Sequence, residues 1–313
     1  MPTTMTPRQR AATALSCGVP DMVPTFELEF QLAPEYIGRN FLYEKQLEGL
    51  SSAEIDRKLH ENAEFMLELF ERLEYSIIPV HYLSFEHQLE TARIIRCMTG
   101  DRYMLTRHGD GTYSIPDGNR MYDFAYRIAD DPEAVEEQAE KMAQTAIENN
   151  KKAVDAGFDS FILCSDYCYN TGSFLSPPMF ARFVTPYLAK IIENIRASGA
   201  FAIKHTDGDI MPVLDQLASC NPHALHSLDP MARVDIAEVK RLVGDRIALC
   251  GNVNCALMQT GTDEEVTASA MYALEHGKPN GGYIYCTSNV PFRGLPLERY
   301  LLVLDIWKKH REY

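Results

Sequence analysis

Several features that mark whole classes of proteins are missing from this sequence of 313 residues. No apolar run approaches the about 20 residues that a membrane-spanning helix needs, so no membrane segment is predicted. Residues 1–10 contain no apolar stretch of the kind found in secretory signal peptides, which predicts a cytoplasmic protein. No glycine-rich dinucleotide-binding loop or P-loop follows a predicted strand, which disfavours those nucleotide-binding classes.

Basic residues are scarce relative to acidic ones. The chain has 30 lysines and arginines against 44 aspartates and glutamates, which gives a net charge of −14. Such a surface repels nucleic acids and anionic lipids, so we expect neither a nucleic-acid partner nor a membrane partner. It also disfavours a polyanionic substrate unless basic side chains gather locally.

The eight cysteines contain no Cys-x-x-Cys pair. In the reducing compartment that we expect, they are interpreted as free thiols, and most buried thiols behave as small apolar side chains. A metal site that uses cysteine therefore has to be argued from its position in the fold.

The sequence does contain enough apolar residues, 46% of the chain, to form a sizeable core. Short apolar strands alternate with helical patterns over residues 1–313, which we interpret as a single domain. The predicted parallel strands are 23–26, 76–80, 160–164, 202–205, 224–228, 247–250 and 282–286. The predicted helices are 7–15, 53–73, 132–156, 178–197, 210–218, 235–242, 263–275 and 296–309.

A glycine-rich turn at residues 109–111 predicts an inserted β-hairpin with strands 103–108 and 112–115. The other strands are apolar throughout and alternate with helices, which indicates a parallel sheet covered on both faces. Both a doubly wound sheet and a (β/α)8 barrel fit this pattern. Seven parallel strands are predicted, and the missing eighth is placed near residues 121–124.

Polar side chains follow the predicted strands at the points where they end, which is where (β/α)8 barrels carry their active sites. Helix capping also places Asp and Asn in such loops, and it accounts for Asp209 and Asn254. We expect catalytic roles for Asp166, His205, Asp207 and Glu29. We expect substrate-binding roles for Glu27, Gln31, His81, Tyr82, Tyr167, Asn170, Asn252 and Asn289.

Some of these side chains are of the types that bind zinc, which accepts histidine nitrogen, thiolate and carboxylate ligands. The candidate ligands are His205, Asp207, Cys250 and Cys286, with Asp229 as a further candidate. An alternative of equal weight is that His205 bonds Asp207 or Asp229 while both cysteines pack as apolar residues.

Acid–base chemistry is a second interpretation of the same face. Carboxyl groups crowded into one cavity raise one another's pKa, so that one of Asp166, Asp207, Glu27 and Glu29 holds a proton near neutral pH. Arg39 and Arg293 are the arginines expected nearby, and they suffice for only a single carboxylate. Aromatic residues such as Tyr36, Phe174 and Phe292 are expected to line the pocket, which suits a neutral, flat substrate.

Four runs of the second half of the chain resemble the uroporphyrinogen decarboxylase superfamily. They are IKHTDGDIMPVLD at 203–215, LHSLDP at 225–230, GDRIALCGNV at 244–253 and GGYI at 281–284. The resemblance is strong from about residue 160 onward and weaker before it. It implies a distorted (β/α)8 TIM barrel, here with an N-terminal helical segment and the inserted β-hairpin.

The sequence departs from the true decarboxylases of that superfamily after the first strand. Those enzymes place Arg-Gln-Ala-Gly-Arg-Tyr there to hold the many carboxylates of their substrate. Here residues 29–36 read EFQLAPEY, without arginine and with a glutamate in front. A substrate with eight carboxylates would be repelled, so a role in haem biosynthesis is not expected.

The methyltransferases of the superfamily offer a closer resemblance. They carry His-x-Cys after the strand at 202–205 and a cysteine after the strand at 282–286, and they use zinc and corrinoid proteins. His205 and Cys286 match the histidine and the last cysteine of this ligand pattern, whereas Asp207 replaces the cysteine between them. Cys250 or Asp229 would then complete the set of zinc ligands. Zinc with one fewer thiolate ligand is a harder Lewis acid. This disfavours the methylation of a thiol and favours a substrate whose methyl group is carried by a methoxy oxygen.

The resemblance therefore implies a methyltransferase that moves a methyl group from a small methoxylated aromatic compound to a corrinoid protein, as in anaerobic metabolism. Two alternatives stay open: a metal-independent decarboxylase of a small carboxylic acid, and a non-catalytic protein that binds a corrinoid or another tetrapyrrole. Homodimers are common in the superfamily, so the resemblance also implies a homodimer.

Overall fold

A computed structural model describes residues 4–118 and 120–313 of the chain. The strands are β1 (Ile77–Pro79), β2 (Met104–His108), β3 (Ser160–Cys164), β4 (Cys168–Tyr169), β5 (Gly172–Ser173), β6 (Phe201–His205), β7 (Ala224–His226), β8 (Ala248–Val253) and β9 (Tyr283–Thr287). Short 3-10 turns cover Glu44–Leu47, Met211–Val213 and Pro230–Ala232.

The helices surround these strands and confirm the alternation predicted from the sequence. They are α1 (Pro7–Leu15), α2 (Ala33–Ile37), α3 (Ser52–Arg72), α4 (Phe85–Thr99), α5 (Arg120–Asp130), α6 (Pro132–Asp155), α7 (Pro177–Phe183), α8 (Thr185–Ala197), α9 (Leu214–Ser219), α10 (Ile236–Val243), α11 (Cys255–Thr260), α12 (Asp263–Gly277) and α13 (Leu297–His310). Within the described ranges, none of them combines the length and the apolar character needed to cross a bilayer.

Seven strands form one parallel sheet in the order β1-β2-β3-β6-β7-β8-β9. Strands such as β8 and β9 are buried at every position, because helices cover one face and the barrel interior lies on the other. The predicted barrel fold is confirmed, and the carboxyl ends of its strands meet at one face.

Residues 23–26 fill the eighth position without forming a regular strand. Thr25 makes a single parallel bridge to Tyr285 of β9, and Ser76 N donates to Thr25 O at 2.8 Å just before β1. Because Pro24 has no N–H, the segment cannot extend a ladder on both sides. The predicted first strand is therefore a closing segment, and it joins the two edges of the sheet.

Two local predictions in the first half of the chain were wrong. Residues 104–108 do form a strand, but β2 pairs in parallel with β1 and β3 rather than in a hairpin. The short antiparallel pair of the fold is β4–β5 instead. The proposed eighth strand near 121–124 lies in α5, an amphipathic helix that buries Phe124.

Candidate functional site

Two aspartates and a histidine come together where β3 and β6 end. Among the described residues, Asp166, His205 and Asp207 form one group whose ligand atoms all lie within 4.8 Å of one another. His205 Nε2 lies 3.7 Å from Asp166 Oδ1 and 3.8 Å from Asp207 Oδ1. We call this group the carboxylate–histidine cluster. Its donor atoms, one imidazole nitrogen and two carboxylates, are ones that zinc accepts.

Neighbouring groups hold both carboxylates of the cluster in place. Ser227 Oγ donates to Asp207 Oδ1 at 2.7 Å, and Asn289 Nδ2 donates to Asp207 Oδ2. The backbone N–H of Asp207 donates to Asp166 Oδ1 at 3.0 Å. Gly208 follows with φ of 83°, and a Cβ there would collide with the Cys168 carbonyl, so the tight turn requires glycine.

Burial shifts the pKa values of the cluster in opposite directions. Burial raises the pKa of Asp207 to about 6. The negative charge of Asp166 contributes to this increase, whereas the hydrogen bond from Ser227 opposes it. Desolvation lowers the pKa of His205 to about 4, although Asp166 opposes the shift. At neutral pH the imidazole is therefore uncharged and can offer a lone pair to a metal.

The two cysteines expected as metal ligands are not part of this cluster. Cys286 lies behind it, with Sγ 3.6 Å from Nε2 of His226, and His226 Nδ1 in turn lies 2.9 Å from His205 Nδ1. Cys250 is fully buried in β8, where it pairs in register with His226. Strands β8 and β9 run further than predicted, so both thiols lie inside the barrel wall rather than at its rim.

A second polar group lies where β1 and β2 end, and we call Glu29, His81, Tyr82 and His108 the imidazole cluster. The rings of His81 and His108 are 4.4 Å apart between centroids, and the hydroxyl of Tyr82 donates to Glu29 Oε2 at 3.0 Å. Gln31 Nε2 also donates to that oxygen, at 3.2 Å. Four of the expected site residues therefore meet here: Glu29, Gln31, His81 and Tyr82.

Both imidazoles of this group are held neutral. Desolvation lowers the pKa of His81 to about 4 and that of His108 to about 3. His81 Nε2 donates its proton to the carbonyl of Leu28 at 2.9 Å, since a carbonyl oxygen can only accept. His108 Nε2 is buried without a hydrogen-bond partner among the described residues. His81 and His108 follow β1 and end β2 at the carboxyl ends of the parallel strands, so both clusters lie at the same face of the barrel.

A cavity of about 370 Å³ opens beside the carboxylate–histidine cluster. Asp207 and Asp229 form its acidic side, and Met231 and Phe292 supply apolar surface. None of the described residues that line it is a lysine or an arginine. Arg39, which was expected near the site, instead pairs with Glu68 at the surface, and Arg293 is exposed. The cavity is therefore unsuited to a polyanion.

Several expected substrate-binding residues have other partners. Glu27 is 1% exposed and bonds Thr287, and burial raises its pKa to about 8. Tyr167 is buried and bonds Thr112, and Asn252 donates to the Leu228 carbonyl. Asn170 is exposed in the turn between β4 and β5. Asp229 faces the cavity but also caps the 3-10 turn at Pro230–Ala232.

Comparison with known proteins now identifies the family. A family model for uroporphyrinogen decarboxylase (URO-D) matches residues 115–305, which is more than half of the chain. The chain belongs to the uroporphyrinogen decarboxylase family. The resemblance seen in the sequence is thereby confirmed.

The relatives of this family member include two kinds of enzyme. The uroporphyrinogen decarboxylase of Anaeromyxobacter dehalogenans is 26% identical over 234 residues, which cover 73% of this chain and 65% of that protein. The methylcobamide:CoM methyltransferase MtaA of Methanosarcina barkeri is 25% identical over 143 residues, 45% of this chain and 40% of that protein. Each match spans less than two thirds of the curated relative.

A solved structure supports the fold over the whole chain. A methyltransferase from Methanosarcina mazei superposes with a TM-score of 0.73 at 17% sequence identity, covering 97% of this chain and 99% of that one. At this identity the likeness establishes the barrel fold of the uroporphyrinogen decarboxylase family and nothing finer.

Three site residues of this family member were missed by sequence reasoning. His226 and Ser227 stand in the LHSLDP run, but we assigned them to strand 224–228 rather than to the site. His108 ends a strand that was placed in a hairpin. Their common signal is a polar side chain within the last two positions of a parallel strand, or directly after it.

Lys204 was also missed by sequence reasoning, and it stabilises the backbone next to the site. It is fully buried, and its Nζ donates to Asp110 Oδ2 at 2.9 Å and to the carbonyls of Leu163 and Ser165 at 3.0 Å each. These carbonyls lie close before Asp166, so the ammonium group fixes the backbone that carries this carboxylate.

Proposed function

We propose that this chain is a methyltransferase that moves a methyl group from a small methoxylated aromatic compound to the cobalt of a separate corrinoid protein. The observation that carries the proposal is the carboxylate–histidine cluster beside a cavity whose described lining residues include no lysine or arginine. The similarity to an MtaA protein named for its action on a methylcobamide supports a corrinoid partner.

Zinc is the metal proposed for this cluster. Catalytic zinc sites use three protein ligands and leave one position open, and Asp166, His205 and Asp207 provide three ligands of accepted types. The separations of 3.7 and 3.8 Å from His205 Nε2 to the two carboxylates are slightly wider than the about 3.4 Å expected between ligand atoms of a tetrahedral zinc ion. When bound, the ion supplies a Lewis acid that stabilises negative charge on an aryl oxygen.

The protein's own side chains have defined tasks in this scheme. Ser227 and Asn289 orient Asp207 through hydrogen bonds to its two oxygens. Met231 and Phe292 provide an apolar wall against which an aromatic ring can pack. Reduced cobalt of the partner supplies the nucleophile, so the chain needs none of its own, and the methyl group passes from oxygen to cobalt as the aryl oxygen leaves.

The imidazole cluster would bind the far end of the substrate. Its neutral histidines and the Tyr82 hydroxyl suit hydrogen bonds to an uncharged phenolic or methoxy group rather than to a carboxylate. Glu29 next to Tyr82 adds negative charge at this end. A cytoplasmic location and a homodimer remain predictions.

The test combines elemental analysis with a methyl-transfer assay. The purified protein is expected to hold about one zinc per chain and to consume cob(I)alamin in the presence of 2-methoxyphenol, releasing catechol. The Asp166→Ala variant is expected to lose zinc and turnover together, and an exposed Asp101→Ala variant serves as the control. Zinc-free protein that releases CO₂ from small carboxylic acids would favour the decarboxylase alternative, and tight corrinoid binding without turnover would favour a binding protein.

A further inference from the structure

A short contact between two buried histidines lies directly behind the carboxylate–histidine cluster. Nδ1 of His205 and Nδ1 of His226 are 2.9 Å apart, and the side chains are 3% and 1% exposed. At this distance one nitrogen donates and the other accepts, so the contact contains a single proton. The tautomer of one ring therefore dictates the tautomer of the other.

The outer nitrogens of the two rings face different groups. His205 Nε2 faces the carboxylates of Asp166 and Asp207, which lie beyond hydrogen-bond distance at 3.7 and 3.8 Å. His226 Nε2 faces Cys286 Sγ at 3.6 Å, a distance at which sulfur can take part in a hydrogen bond. The three side chains thus form a line that runs from the cluster into the barrel wall.

A metal at His205 Nε2 fixes every proton along this line. The bound nitrogen has no proton, so the neutral ring carries its proton on Nδ1 and donates it to His226 Nδ1. His226 then carries its own proton on Nε2, and the only partner that the structure gives that proton among the described residues is Cys286 Sγ. Metal-binding histidines commonly depend on such a partner for tautomer and ring orientation.

We infer that Cys286 is a positioning residue for the metal site, which accepts the hydrogen bond of His226 and is not itself a ligand. This inference rests on the proposed function, because it assumes a metal at His205. It replaces the expectation that the Cys286 thiolate binds zinc. The sulfur is separated from His205 Nε2 by the whole His226 ring, and its residue is completely buried.

The experiment measures Co²⁺ and Zn²⁺ affinity in the full-length protein by competition with a chelating dye. Serine retains the acceptor and cannot replace a thiolate ligand, so Cys286→Ser is expected to bind both ions within about threefold of the wild type. Cys286→Ala leaves His226 Nε2–H without a partner and is expected to bind about 10- to 100-fold more weakly. Cys220→Ala, which removes another buried thiol, is the matched control and is expected to leave the affinity unchanged.

Two spectroscopic measurements on the wild-type protein need no variant. The Co²⁺-loaded protein is expected to lack the intense sulfur-to-cobalt charge-transfer band of a thiolate ligand. In the zinc-loaded protein, ¹⁵N NMR of the histidines is expected to show a proton on Nδ1 of His205 and on Nε2 of His226.

The possible failures separate the two proposals. A charge-transfer band together with equal loss of affinity in the serine and alanine variants would make Cys286 a ligand and overturn this inference alone. A proton found on His226 Nδ1 in the zinc-loaded protein would overturn it as well. A wild-type protein that binds neither ion would overturn the zinc site of the proposed function, and this inference with it.

Discussion

The two polar clusters at the open end of the barrel are built from similar side chains but differ in what burial does to them. In the carboxylate–histidine cluster, Asp166 and Asp207 remain partly exposed, with side-chain exposures of 48% and 29%. In the imidazole cluster, two histidines lie in contact with tilted rings and are held neutral, and one buried nitrogen has no partner among the described residues. The first cluster presents two carboxylates beside a neutral imidazole, whereas the second combines two neutral imidazoles with a single carboxylate, Glu29.

The difference shows that the neighbours of a side chain decide its chemistry more than its residue type or its position along a strand does. Histidine occurs in both clusters at the last position of a barrel strand, as His205 in β6 and His108 in β2. His205 has two carboxylates in front of it and an orienting imidazole behind it. His108 has another histidine beside it instead. Under the proposed function, the first cluster would carry the reaction and the second would bind the substrate.

The sharpest test of this division is to remove one histidine from each cluster. His205→Ala is expected to lower the rate of methyl transfer about 1,000-fold, or about 4 kcal/mol, because a metal ligand is lost. His108→Ala is expected to raise KM about tenfold with little change in kcat, because a hydrogen bond to the substrate is lost. Steady-state kinetics of both variants check this, and equal effects on kcat would abolish the distinction.

The imidazole cluster should make the protein sensitive to acid. The pKa of His108 is about 3 in the folded chain and near 6.5 in an unfolded one, so protonation favours unfolding. Its contribution is intact above pH 6.5 and is lost as the pH falls towards 3. Between pH 6.5 and pH 4.5 this group alone is expected to remove about 2 kcal/mol of stability.

Urea denaturation of the wild type and of His108→Gln at both pH values measures this loss. The variant is expected to lose correspondingly less stability over the interval, and His60→Gln, which changes an exposed histidine, is expected to behave as the wild type does. Parallel pH profiles for the wild type and His108→Gln would contradict the burial of a neutral imidazole.

Asp207 of the carboxylate–histidine cluster should respond to pH in the opposite sense to His108. The folded chain raises the pKa of Asp207 to about 6, so ionisation opposes folding, and stability falls as the pH rises from about 4 through 6. In metal-free protein at pH 8, Asp207→Asn is expected to be about 2 kcal/mol more stable than the wild type, after a discount for partial exposure.

Thermal and urea unfolding in the presence of a chelator, at pH 8 and at pH 4, check that expectation. The gain should fall to roughly a fifth of its size at pH 4, where the wild-type carboxyl group is protonated in the folded state and about half protonated in the unfolded state. Asp101→Asn, at an exposed position, should show no gain at either pH. A stabilisation of equal size at both pH values would mean that charge is not its cause.

The second half of the barrel could be predicted from the sequence because its strands are short runs of apolar residues separated by helical patterns. In the first half, the helices α1, α3 and α6 and the strand β1 were predicted, whereas β2 and α5 were not, for reasons visible in particular residues. In α5, Tyr122 and Tyr126 alternate with Phe124 as in a strand, but the two tyrosines are 70% and 65% exposed and only Phe124 is buried. In β2, the two runs 103–108 and 112–115 on either side of the glycine-rich turn at 109–111 suggested a hairpin.

The sequence predicted which residues gather at the site but not how deeply each of them lies in the barrel. That polar residues gather at strand ends follows from the parallel topology, and Asp166, His205 and Asp207 were expected there. The sequence placed the ends of two strands at Cys250 and Cys286, whereas β8 continues to Val253 and β9 to Thr287. An error of one to three residues at a strand end moves a side chain from the rim into the wall, and single-sequence patterns do not resolve that difference.

The closing segment at residues 23–26 has a consequence for how the chain folds during synthesis. Thr25 bonds Tyr285 across 260 positions of sequence, and the Val23 carbonyl accepts a hydrogen bond from Trp307. The segment is synthesised well before its partners, which follow it by 260 and 284 positions in the chain. The barrel therefore stays open at this seam until translation has passed Trp307, and its unpaired edges need protection from other chains until then.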